Sequence, residues 1–188
     1  MKRIPFFIVL ISLIVIMISC SSLSSKQLLK EQQWSENYAL SDGVQSTSPE
    51  MIDGDIGTSG KMLFPESVYG GKAIVGAFPN AEVTITLPEK KSISKIVIYS
   101  DDLEDFNIYA SIGMRGGKED WKLLKEFIKN KDKEIIIRTS VLTDKILIKA
   151  KGKMPLESTE SVRVLGGIVR QRKVMEPEIK EIELYGFK

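Results

Sequence analysis

The chain of 188 residues contains no histidine and a single cysteine. Without histidine there is no Ser-His-Asp or Cys-His catalytic arrangement and no His-ligated zinc or haem. One cysteine excludes a disulfide framework and a thiolate metal cage. Any bound metal would be held by oxygen, which points to calcium or magnesium. Neither sign of charge dominates: 27 Lys and Arg stand against 25 Asp and Glu. Lys2 and Arg3 account for the whole excess, so beyond the N-terminus the charges balance and nothing draws in a phosphate backbone. No nucleic-acid partner is expected. No nucleophile and base are readable as a pair, so no enzyme is expected. Long amphipathic helical patterns are missing as well.

What is present begins with Lys2 and Arg3, followed by an apolar run over residues 4–18, broken by Pro5 and Ser12. A short positive head, an apolar stretch and a small residue form an export signal. The run is shorter than the roughly 20 residues of a spanning helix. Met17-Ile18-Ser19-Cys20 resembles a bacterial lipobox, although leucine is commoner at the first of these positions and a smaller residue at the second. The resemblance implies a signal peptide over residues 1–19 and a lipidated Cys20, carrying a diacylglyceryl group and an amide-linked acyl chain such as palmitate. The protein would then be membrane-anchored outside the cytoplasm, in the bacterial cell envelope, on the outer or cytoplasmic membrane. More than one chain is needed for stable anchoring, since each buried methylene adds about 0.8 kcal/mol. An uncleaved anchor or ordinary secretion would use the same residues. Residues 20–36 read as a linker, serine-rich and then helix-forming, with Trp34 packing on the domain.

From Asn37 onward the pattern is that of strands. Apolar residues alternate with polar ones, or run briefly without interruption, between Gly, Pro, Asn and Asp. The expected strands are 72–78, 82–87, 94–100, 106–111, 121–128, 134–138, 144–150, 161–164, 168–172 and 179–185. In the last, Ile182 and Leu184 should face inward and Glu181 and Glu183 away. The unbroken Ile135-Ile136-Ile137 suggests a strand covered on both faces. Gly166-Gly167 reads as a hairpin turn. The acidic stretch over residues 101–105 reads as a solvated turn. Many short strands with turns between them indicate one antiparallel all-β sandwich over residues 37–188.

Two elements narrow this class. Met51-Ile52-Asp53-Gly54-Asp55-Ile56-Gly57-Thr58 lies near the start, and Glu181-Ile182-Glu183-Leu184-Tyr185-Gly186 closes the chain. With the intervening strands, they resemble the discoidin, or coagulation-factor C-type, domain of the galactose-binding-like superfamily. The resemblance implies a jelly-roll β-sandwich. It also departs from the family: a Trp usually lies two residues after the Thr of the first motif, and here that position is Gly60. Residues 59–71 are therefore an altered loop, and residues 156–177 form a longer connection than usual.

The resemblance further implies a structural calcium ion between the opening turn and the last strand. Its side-chain ligands would be Asp53, Thr58 and Glu181, with backbone oxygens from Glu50, Asp55, Thr58 and Lys180. The chemistry suits a hard cation that takes six to eight oxygens, while an Asp-Gly turn that merely bonds its own backbone uses the same residue types. Sugar-binding relatives use aromatic platforms in loops, which makes Phe64, Tyr69, Phe78 and Arg115 the candidate ligand contacts. The same aromatics could cover the end of the core, with Arg115 a solvated tip. Trp121 and Tyr185 are expected in the core or at a sheet edge. The basic residues of 163–173 suit an acidic glycan or lipid headgroup, or protect a sheet edge. The expected function is a lipid-anchored, non-catalytic module that binds carbohydrate. The alternative is a scaffold subunit that binds an envelope protein.

Overall fold

A computed structural model describes residues 33–64, 80–152, 159–164, 167–172 and 175–188; for 159–164 and 167–172 only the backbone is discussed. The strands are β1 (Gln45–Ser46), β2 (Gly60–Lys61), β3 (Asn80–Tyr99), β4 (Phe106–Arg115), β5 (Lys118–Phe127), β6 (Glu134–Lys151), β7 (Thr159–Val164), β8 (Gly167–Arg172), β9 (Glu178–Ile179) and β10 (Glu181–Tyr185). Short 3-10 helices cover Tyr38–Leu40 and Pro49–Ile52. The strand pairings among the described residues are antiparallel.

Two long strands organise the sandwich. The first half of β3 pairs with β1 and with the second half of β6, and β4 and β5 extend this layer. The second half of β3 pairs with β10 and with the first half of β6. A five-stranded and a three-stranded layer therefore share β3 and β6. The ladder between the two halves slips at Thr86/Lys91 and again at Ile93/Lys95. Pro88 lies in the first slip, where its missing N–H and fixed φ suit an interrupted ladder.

Each layer contributes one face to the core. Val83 and Ile85 of β3, Ile108 and Ala110 of β4, and Ile146 and Ile148 of β6 are buried from the larger layer. Ile96 and Ile98, Ile135 and Ile137, and Ile182 and Leu184 are buried from the smaller. All belong to one cluster, and period-two alternation is what puts them on one side of each strand.

Several expectations are corrected here. The segments expected at 82–87 and 94–100 are one bent strand, as are 134–138 and 144–150. Ile136 is 55% exposed, so its strand is covered on one face only. Glu181 does not face solvent: it is 1% exposed. The acidic stretch over residues 101–105 is tied down rather than solvated. Asp105 accepts the Lys129 amide and pairs with Lys151, Asp102 accepts the Glu178 amide, and Leu103 is buried. The second basic-hairpin strand begins at Gly167, which pairs with Val164, so Gly167 belongs to the strand rather than the turn. The strand expected at 72–78 lies outside the described residues.

The two ends of the compact unit, Trp34–Lys188, are clasped together. Trp34 bridges Phe187, the Ser35 amide donates to the Gly186 carbonyl at 3.0 Å, and the Gly186 amide donates to Ser35 Oγ at 2.9 Å. The Trp34 and Phe187 rings stack at 5.1 Å. Asn37 Oδ1 accepts both the Ala39 amide, capping the first helix, and the Leu184 amide of β10. Trp34 thus packs on the domain as its composition suggests.

Candidate functional site

The opening turn follows the Pro49–Ile52 helix and is shaped by its own carboxylates. Asp53 Oδ1 accepts the Asp55 amide at 2.9 Å, and Asp55 Oδ1 accepts the Gly57 amide at 2.7 Å. Gly54 sits at φ +82°, a left-handed conformation that costs glycine little. That conformation aims its amide at Glu181 Oε2, 3.1 Å away and 127 positions later in the chain. The first turn and the last strand therefore lie side by side.

The turn gathers more acceptors than donors. Thr58 Oγ1 lies 2.8 Å from Asp53 Oδ2, 2.8 Å from the Asp55 carbonyl and 3.4 Å from the Glu50 carbonyl. A hydroxyl has one hydrogen and can satisfy only one of the three. Glu181 Oε1 is buried and takes no hydrogen bond from the described residues. Burial pushes the Glu181 carboxyl up to about 7; the Asp53 charge adds to the rise and the Gly54 amide opposes it. Asp53 is held below the usual carboxylate range, first by the Asp55 amide and then by the Thr58 hydroxyl.

An oxygen-rich, donor-poor cradle with a buried orphan carboxylate oxygen fits a hard divalent cation. Asp53, Thr58 and Glu181 are brought together, as are the carbonyls of Glu50 and Asp55. The Asp55 side chain is turned into its own loop, so only its carbonyl takes part. Lys180 precedes Glu181; its amide donates to the Tyr99 carbonyl and its Nζ pairs with Asp101. Among the described residues no three His, Cys, Asp or Glu side chains cluster as metal ligands. The cradle thus has two carboxylates, and its other oxygens come from carbonyls and a hydroxyl.

The turn is also the reason for Gly60. A Cβ on Gly60 would lie 2.5 Å from Ser48 Oγ and 2.8 Å from Met51 Cγ. The tryptophan usual at that position in discoidin domains would collide with the helix that leads into the turn.

Beside the cradle is a cleft of about 150 Å³ lined by Ile56, Tyr99, Asp101, Lys133, Glu134 and Lys180. Asp101 sits between Lys180 at 2.5 Å and Lys133 at 2.9 Å. Hydrogen bonds from Lys180 and then Lys133 hold its carboxyl down at about 2. Sequence reading missed this cluster because its members come from three separate loops. The cleft is smaller than the roughly 300–1,000 Å³ of small-molecule pockets.

Of the four candidate ligand contacts, Phe64 and Arg115 lie among the described residues, and those two stand apart. Phe64 is half-buried and packs against the core. It follows Leu63, which bridges Glu82; Glu82 pairs with Lys149, and Lys149 with Asn107 of β4. Arg115 is exposed at the far end of β4. About eight residues separate it from Asn107, roughly 26 Å along the strand. Tyr69, Phe78 and Cys20 lie outside the described residues. Trp121 is half-buried on β5, the outermost strand of its sheet, and Tyr185 is half-buried on β10.

No protein-family model and no curated protein sequence matches the chain. Solved structures do resemble it. The CBM32-4 module of Clostridium perfringens, in complex with GlcNAc-α-1,4-galactose, aligns at a TM-score of 0.51 and 16% identity over 82% of this chain and 95% of its own. Chitosan-binding module 2 of a chitosanase/glucanase from Paenibacillus sp. IK-5, in complex with chitotriose, aligns at 0.50 and 15% identity over 80% of this chain and all of its own. Chitosan-binding module 1 of the same enzyme aligns at 0.50 and 13% identity over 81% and 100%. The chain has their discoidin-like, galactose-binding-like β-sandwich fold.

Proposed function

We propose that the chain is a lipid-anchored, non-catalytic module of the bacterial cell envelope that binds carbohydrate and carries a structural calcium ion. The observation that supports the carbohydrate reading is the fold, shared along nearly the whole sandwich with modules solved in complex with chitotriose and GlcNAc-α-1,4-galactose. Fold alone does not assign a ligand, so the residues must supply the rest. The absence of histidine and of any readable nucleophile–base pair agrees with binding without catalysis.

The contact surface is proposed on the altered loop and the segment that follows it, with Tyr69 and Phe78 as the aromatic platform. Phe64 packs against the core, and Arg115 lies at the far end of β4 from it. A glycan array probed with the calcium-loaded chain tests this. Binding lost in Tyr69→Ala or Phe78→Ala and kept in Arg115→Ala supports it. A silent array with a discrete envelope protein captured instead would favour the scaffold role.

The anchor is proposed at Cys20, where mass spectrometry of the membrane-extracted protein should find a diacylated N-terminal cysteine; an unmodified thiol would refute it. Calcium would be held by Asp53, Thr58 and Glu181 with carbonyls of Glu50, Asp55, Thr58 and Lys180. It would fasten the first loop to the last strand and supply charge to an acceptor-rich cradle. At a hundredfold excess over Kd a native-state ligand adds about 2.7 kcal/mol. At ~2–4 °C per kcal/mol for a domain of this size, the melting temperature should rise by about 5–10 °C.

A further inference from the structure

We propose that the outward face of the three-stranded layer, at the end where the chain enters the sandwich, is a foot that seats on an anionic lipid headgroup layer. The inference rests on the anchoring proposed above and says which way up the anchored domain stands.

Register places the outward side chains in rows. Tyr185, Lys95 and Arg138 form one row across β10, β3 and β6; Glu183 and Ile136 flank the buried Val97 in the next; in the third, Tyr99 and Glu134 stand beside Glu181, which is buried. The face is therefore cationic at the first row, whereas at the third Glu134 shares a cleft with Lys133 and Lys180. At the cationic end Lys95 Nζ stands 4.9 Å from the Trp34 ring and 4.1 Å from the Tyr185 ring, and the Arg138 guanidinium stands 4.7 Å from the Trp34 ring. Phe187, stacked on Trp34, is 54% exposed, and Ile136 in the adjoining row is 55% exposed.

Amphipathic aromatic rings and long cationic stems suit the boundary between headgroups and acyl chains. Lys and Arg near an anionic leaflet are attracted to it. The Trp34 ring is already engaged by Phe187 and two cations, which leaves it a poor platform for stacking a sugar. Position along the chain selects the occupant. Trp34 is the first residue of the compact unit, and the stretch from Cys20 to Trp34 reaches at most about 50 Å. Within the compact unit, Trp34 is the residue nearest along the chain to Cys20.

The chain has two tryptophans, so Trp121→Phe leaves Trp34 as the sole indole reporter. The lipidated full chain carrying this change is reconstituted into vesicles of phosphatidylcholine alone or mixed equally with phosphatidylglycerol, each containing lipid brominated near the headgroup. Flotation of the vesicles reports the anchor, and quenching of Trp34 reports the foot. The expected result is quenching in the phosphatidylglycerol vesicles that weakens with added salt. The docked-to-free ratio should fall about fivefold for each cation removed in Lys95→Gln and Arg138→Gln. A floating chain whose Trp34 is equally unquenched in both lipids overturns the foot and leaves the anchor standing. So does a Trp34 signal that answers to soluble glycan and not to brominated lipid. A chain that does not float overturns the anchor, and the foot falls with it.

Discussion

One hydroxyl hydrogen on Thr58 faces three acceptors, and one oxygen of buried Glu181 faces none. That imbalance makes one substitution diagnostic. In Glu181→Gln the Gly54 amide keeps an acceptor and the buried charge is gone. With chelator at pH 8 this variant should melt no lower than the parent, and it should show none of the parent's rise with calcium. A variant that is destabilised in chelator yet still responds to calcium would contradict the site. Gly186 is a second point where one atom decides. An added Cβ would lie 2.8 Å from the Ser92 carbonyl, which is backbone and cannot swing away, and would also strike the Tyr38 hydroxyl. Gly186→Ala should cost about 1–3 kcal/mol by overpacking, read as a lower urea midpoint with an unchanged m-value.

At the scale of the element, the bend of β6 depends on Thr143, which is fully buried. Its hydroxyl accepts the Lys145 amide at 3.1 Å and lies within 2.9 Å of the Ser111 and Lys145 carbonyls. Those bonds close the gap where the β3–β6 ladder slips between Thr86 and Lys91. Thr143→Val keeps the shape and strands the Lys145 amide, so it should cost about 1–3 kcal/mol in chemical denaturation. Next to it, Lys145 pairs with Glu119 at 2.5 Å. The Lys145 hydrogen bond, and after it the Ser111 hydroxyl, hold Glu119 below its ordinary value of 4.5. A depressed carboxylate stabilises the fold above pH 4.5, and the contribution is lost as pH falls through the lowered folded value. In Lys145→Met the Glu119 carboxyl should titrate closer to 4.5 by carbon-13 NMR. Stability should drop at neutral pH and change little at pH 2. A Glu119 titration unmoved by this substitution would show that the pair does not set it.

For the whole molecule, the class of fold was legible because alternation carries it. Val83, Ile85 and Leu87 are buried between half-exposed threonines, and Ile182 and Leu184 are buried as their spacing implies. The junction of β3 through Pro88 was not legible, since proline normally ends a strand and here marks a slip within one. Ile136 misled because an unbroken apolar run does not reveal which face is open; its side chain reaches the outward face by parity with Arg138. Glu181 was read two ways, as an outward residue by alternation and as a metal ligand by resemblance, and its burial overturns the first. Phe64 and Arg115 lie apart because segments distant in sequence can carry suitable residue types without meeting in space, while Tyr69 and Phe78 lie outside the described residues. Asp101, Lys133 and Lys180 assemble a cleft from three loops, which no local pattern announces.

The central claim is that this sandwich binds a glycan and leaves it whole. The direct measurement is equilibrium binding of the calcium-loaded chain to a broad glycan array, followed by mass analysis of each retained glycan after prolonged incubation. The account predicts saturable binding to a restricted set of glycans, each recovered unchanged. Silence across the array from a chain shown to be folded, or recovery of shortened glycans, would contradict it.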